Sequence, residues 1–98
     1  MQNQKSNQLQ LTIITPNDPP ITIFCDSVHL PITDGKNGKG SGSYGIRHNH
    51  AKAIFSLDNG KIEVYQNGNL SESFICSQGF AKTENSILTV TTESIKKI

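Results

Sequence analysis

Short apolar runs of period two, each closed by a turn signal, leave this chain few folds to choose from. Leu9, Leu11 and Ile13 alternate with polar residues across 8–15, and the run stops at Thr15-Pro16-Asn17-Asp18-Pro19-Pro20. The prolines there remove backbone donors and force a turn. Residues 20–26 read as a second strand with Ile21, Ile23 and Cys25 on one face, and 28–32 as a third. Pro31 lies in that third run, which predicts an edge or terminal position because proline cannot donate to a ladder. Further strands are expected at 44–47, 53–57, 61–65, 70–78, 80–82 and 86–92. Asp58-Asn59-Gly60, Asn67-Gly68-Asn69 and Glu84-Asn85 mark turns between them. Only 92–98 could start a helix, and so short a segment is marginal alone. The expectation is an all-β fold, a small antiparallel β-sandwich of about ten short strands.

Size and composition bound what such a sandwich can do. With 98 residues there is room for one domain, in which roughly 60 to 68% of the unfolded surface becomes buried. The apolar fraction of 34% falls below the roughly 45–50% common in globular chains, so the core is expected to be thin and completed by a partner. A formal net charge of +1 supplies no field to attract nucleic acid or an acidic membrane surface. The polar start MQNQKSNQLQ has no apolar core of a secretory signal, and no run of about 18 apolar residues occurs, so no direct membrane insertion is expected. Cys25 and Cys76 stand far apart without CxxC spacing, which predicts reduced, buried thiols. The domain reading is a flexible segment over 1–7, a sandwich over 8–95 and a tail over 96–98.

Chemistry-bearing residues concentrate between Cys25 and Ala51, a stretch that gathers all three histidines and one cysteine. His48 and His50, two apart, would share a strand face and could ligate zinc with Cys25, His29 or Asp34. The plainer reading places His48 and His50 in a polar turn that serves packing or partner contacts. Cys76 sits in an apolar run, where cysteine behaves as a small hydrophobe rather than a nucleophile. Residues 34–43, DGKNGKGSGS, hold four glycines and no apolar side chain, and are expected to form a flexible loop. The loop lacks the GxxxxGK[ST] order of a phosphate cradle. Tyr44, Tyr65, Phe55, Phe74 and Phe80 are read as scattered core fillers. No cofactor and no small-molecule ligand are expected.

The ordered pieces Leu11-Thr12-Ile13-Ile14-Thr15-Pro16, Asp26-Ser27-Val28-His29-Leu30-Pro31, Asp34-Gly35, Gly45-Ile46 through His50-Ala51, and Ser77-Gln78-Gly79-Phe80 carry a resemblance. Together they resemble the β-sandwich domain of the epsilon subunit of rotary ATP synthases. The resemblance implies a non-catalytic rotor subunit that binds the gamma subunit and the c-ring and couples proton flow to ATP synthesis. It further implies a c-ring contact through Thr33, Asp34, Gly35, Lys36, Asn37, Lys39 and Tyr44. A gamma contact is implied through Gly45, His48, His50, Ala51 and Lys52, with Pro31 and Gly79 in structural roles. The implied location is peripheral, on the cytoplasmic face of a bacterial plasma membrane, ahead of a mitochondrial or plastid equivalent.

Three departures from the family pattern stand out. Prolines usually flank the family's turn histidine, whereas His48 and Lys52 occupy those places here, implying a less rigid turn. Lys36 and Lys39 stand where an acidic residue is common, which implies an acidic or polar c-ring loop opposite. The sequence closes at Ile98 with no helical hairpin after the sandwich, giving the expectation of a coupling subunit without that hairpin's inhibitory role. Two other readings stay open at this point: a sandwich module binding peptide or carbohydrate, and a histidine-based metal-binding domain.

Overall fold

In the computed structural model, residues 8–34 and 39–98 are described, and they contain ten strands and no helix. In chain order these are β1 Leu9–Ile14, β2 Ile21–Cys25, β3 Ser27–Asp34, β4 Lys39–Arg47, β5 Ala53–Leu57, β6 Gly60–Gln66, β7 Asn69–Cys76, β8 Gly79–Glu84, β9 Ile87–Thr92 and β10 Ile95–Lys97. One layer runs β2-β1-β9-β8-β5 and the other β10-β7-β6-β3, with β4 flanking β3. β3 belongs to both, since Ser27, Val28 and His29 pair with β6 while Ile32 pairs with Leu57 of β5. All pairings are antiparallel except β1 with β9, which run parallel with Leu11 beside Leu88.

Alternation decides which side chains meet between the layers. Leu9, Leu11, Ile13, Leu57, Ala81, Leu88 and Val90 enter from one sheet, and Val28, Leu30, Ile46, Ile62, Val64, Phe74 and Cys76 from the other. Ile21, Ile23 and Ile95 close the open side between the edge strands β2 and β10. Thr83 is the one misfit, because its Oγ1 is buried with no hydrogen-bond partner among the described residues. Since an unpaired buried hydroxyl is costly, Thr83→Val is expected to stabilise the fold by about 1–2 kcal/mol. The check is a higher urea midpoint with an unchanged denaturant slope.

Four sequence expectations are corrected by the strands. The loop expected over 34–43 is shorter, because β4 begins at Lys39 and pairs Asp34 with Lys39 and Thr33 with Gly40. A hairpin strand draws its stability from backbone pairing to its neighbour, so the lack of apolar residues did not prevent extension. Pro31 is internal rather than at an edge: it lies where β3 leaves β6 after His29 and joins β5 at Ile32, and its missing donor falls at that corner. Its carbonyl is used, accepting the Asp58 amide at 2.8 Å. The tail expected over 96–98 is a strand edge instead, since Ile95, Lys96 and Lys97 pair with Cys76, Ile75 and Phe74. Phe80 fills no core; β8 turns it to the outer face with Lys82, where it is 63% exposed.

Candidate functional site

Two ends of the sandwich carry the residues singled out by sequence. At one end β4 finishes at Arg47 and the chain turns through His48 and Asn49, closed by the His50 amide on the Arg47 carbonyl at 3.3 Å. Asn49 takes the left-handed conformation, φ 62°, which asparagine tolerates better than most residues. Its amide donates to Ser86 Oγ at 2.8 Å, tying the turn to the β8–β9 hairpin. Lys52 reaches Glu84 of the same hairpin at 3.7 Å, and Lys82 joins that carboxylate at 3.3 Å. Both lysines are well exposed, so these pairs contribute little to stability.

His50 is held inside an aromatic group. Its Nδ1 lies 2.7 Å from the Ala51 carbonyl, which can only accept, so Nδ1 bears the proton in the neutral ring. Nε2 is then the acceptor for the Tyr44 hydroxyl at 3.3 Å. Tyr44 and Phe55 pack in a tilted arrangement at a centroid distance of 5.2 Å, and Phe55 meets His50 edge-on at 6.1 Å. Tyr44, grouped by sequence with the 33–39 loop, therefore stands with the His50 turn instead. His48 points elsewhere. It lines an open polar groove of about 550 Å³ with Asp26, Ser27, His29, Arg47 and Tyr65, in which His29 packs on Tyr65 at 4.8 Å. Gly45 faces His29 across the β3–β4 ladder.

The opposite end is built from the β3–β4 hairpin and the connections at 15–20, 58–60, 77–79 and 92–94. Thr33 and Asp34 close β3 there and Lys39 opens β4. Gly35, Lys36 and Asn37 lie outside the described residues. Thr92 Oγ1 and Ser77 Oγ, 2.9 Å apart, knit β9 to the β7–β8 connection. Beside them an apolar groove of about 380 Å³ opens between Ile14, Pro16, Gly79 and Phe80. The exposed Ile54 and Phe80, 69% and 63% accessible, extend apolar surface along the outer face of β5 and β8.

The candidate metal ligands are not brought together. Cys25 is in the core with Sγ 3.7 Å from the Leu9 carbonyl, His50 is engaged with Tyr44, and only His29 and His48 share the polar groove. Among the described residues no group of three or more His, Cys, Asp or Glu could hold a metal ion. Burial pushes the Cys25 thiol up to about 11, with the Asp26 and Glu72 carboxylates adding to the shift. Burial also raises Cys76. Both thiols are free. A thiol held protonated in this way is a poor nucleophile and a poor ligand. Phe55, Glu84 and Ser86 complete the His50 turn, and sequence reading passed them over. The one available signal was the turn at Glu84-Asn85, which is Asn85-Ser86 in the structure.

Fold and site define a class: a two-layer β-sandwich whose distinctive residues lie in tied turns and on exposed apolar surface. The sequence over residues 8–98 matches the family described as ATP synthase, Delta/Epsilon chain, beta-sandwich domain, and the chain belongs to that family. No curated protein matches it. Among solved structures it is similar to a chain of the Euglena gracilis mitochondrial ATP synthase, with TM-score 0.75 and 19% identity over 98% of this chain and 56% of that one. It is also similar to a chain of the Tetrahymena thermophila mitochondrial ATP synthase central stalk and c-ring, with TM-score 0.67 and 13% identity over 95% of this chain and 68% of that one. At these identities the likeness establishes the fold. The chain spans little more than half the length of the Euglena chain it matches.

Proposed function

We propose that this protein is a non-catalytic rotor subunit of a proton-translocating ATP synthase, bound to gamma and seated on the c-ring, which passes torque between ion flow and ATP synthesis. The observation that carries the proposal is the match of residues 8–98 to the delta/epsilon sandwich family. The geometry supports it in kind. The 47–50 turn and the β3–β4 hairpin lie at opposite ends of the sandwich, and large apolar side chains at Ile54 and Phe80 remain in solvent, as in a domain completed by a partner. In this reading Gly45, His48, His50, Ala51 and Lys52 meet gamma, joined by Tyr44. Thr33, Asp34 and Lys39, with Gly35, Lys36 and Asn37, meet the polar loops of the c-ring. Nucleic acid, cofactors and small-molecule ligands have no place in it. The location is peripheral, on the membrane that holds the c-ring. The sequence favoured a bacterial plasma membrane, while both structural relatives are mitochondrial. Capture experiments test the proposal: the tagged chain is expected to retain its cognate gamma subunit and c-ring.

A further inference from the structure

We infer that Ser86 and Asn49 are a positioning pair, in which the Ser86 hydroxyl holds the 47–50 turn in the shape that meets the partner. The inference rests on the reading of this turn as the gamma contact.

A local rule is kept at one hairpin and broken at another. Two-residue hairpin turns with both central residues at positive φ favour Asn-Gly, because glycine has no Cβ to crowd the second position. The β6–β7 hairpin obeys, with Asn67 at φ 51° and Gly68 at φ 79°. The β8–β9 hairpin has Asn85 at φ 56° but Ser86 at φ 61°, a conformation serine adopts at some energetic cost. What serine adds there is a hydroxyl, and that hydroxyl accepts the Asn49 amide at 2.8 Å while lying 3.5 Å from Asn49 Oδ1. The Ser86 carbonyl is anchored in turn, accepting the Gln10 amide of β1 at 2.9 Å. A continuous path thus runs from β1 through the hairpin to the turn.

The turn needs such a restraint. Positive φ falls on Asn49 and not on His48, so the 47–50 turn is of the type that favours proline at its second residue. His48 occupies that place and leaves the backbone free to rearrange in the absence of other ties. Fastening Asn49 to Ser86 supplies from the side what proline would supply along the chain. It also fixes the approach of His50, whose ring must reach Tyr44 and the Ala51 carbonyl together.

The test separates positioning from general stability. Ser86→Gly removes the hydroxyl and relieves the positive-φ cost, whereas Ser86→Ala removes the hydroxyl and keeps the cost. Glycine is therefore expected to melt at or above the wild-type temperature and alanine below it. Both are expected to exchange the Asn49 amide about fivefold faster and to bind gamma about fivefold more weakly, the size of one lost hydrogen bond. Unchanged amide exchange in both variants overturns the inference. So does faster exchange with unaltered gamma affinity, provided His50→Ala weakens gamma binding. If His50→Ala leaves gamma affinity unaltered as well, the gamma contact of this turn falls, and the role given to the pair falls with it.

Discussion

Gly79→Ala is expected to destabilise this protein by about 3 kcal/mol or more, lowering its melting temperature on the order of 15 °C. A Cβ at this position would stand 2.0 Å from the Thr91 carbonyl oxygen and 3.0 Å from both Thr91 C and Thr92 Cα. Those atoms are backbone, so no rotamer change relieves the clash, and β8 must move away from β9. The displacement spreads in both directions, because Gly79 pairs with Thr92 on one side and with Leu57 on the other. Next to it, the Thr92 hydroxyl holds the Ser77 carbonyl at 2.8 Å, a bond that the same shift would stretch. Thermal unfolding of the purified variant provides the measurement. A change within a degree or two would mean that β8 and β9 do not approach as closely as described.

Leu88→Ala should cost about 3–4 kcal/mol, within the 2–5 kcal/mol usual for deleting a fully enclosed leucine side chain. Leu88 is fully buried and lies beside the equally buried Leu11 across the parallel β1–β9 pairing, at the middle of the sandwich. The backbone there is pinned by strands on both sides, β8 and β1, so the site can collapse only slightly around the cavity. Ile87→Ala, one residue away but facing outward and 38% exposed, serves as the comparison and should cost far less. Urea unfolding of the two variants gives both values. Equal losses would mean that the alternation in β9 has been assigned to the wrong faces.

Much of this architecture was legible in the chain because alternation and punctuation agreed. In β1, Leu9, Leu11 and Ile13 are all buried as their spacing required, and the proline-rich stretch after Thr15 separates β1 from β2. Ala53–Leu57 was read with its true limits. Failures fell where a strand is created by its neighbour rather than by its own residues. Lys39–Arg47 starts among glycines and serines because β3 offers it a backbone edge, and Ile95–Lys97 is extended because β7 does the same. No local signal announces either. Phe80 misled for a different reason: hydrophobicity suggested burial, but Ala81 and Thr83 already occupy the inward positions of β8.

The candidate site was only half legible. His50 and Lys52 stood out as residues of a turn, yet their partners Tyr44, Phe55, Glu84 and Ser86 come from β4, β5 and the β8–β9 hairpin. Such neighbours are joined by sheet closure, which sequence spacing does not encode. The reading of a less rigid turn followed from the missing prolines at His48 and Lys52. The structure adds side ties that sequence did not announce, from the Asn49 amide to Ser86 and from His50 to the Tyr44 hydroxyl.

The central claim is that this sandwich is a rotor subunit, and association with gamma tests it most directly. Purified chain mixed with its cognate gamma subunit is expected to co-elute in size-exclusion chromatography as a one-to-one complex. Added c-ring should shift that complex to larger size. Separate elution of chain and gamma at micromolar concentrations, with no c-ring association, would contradict the account.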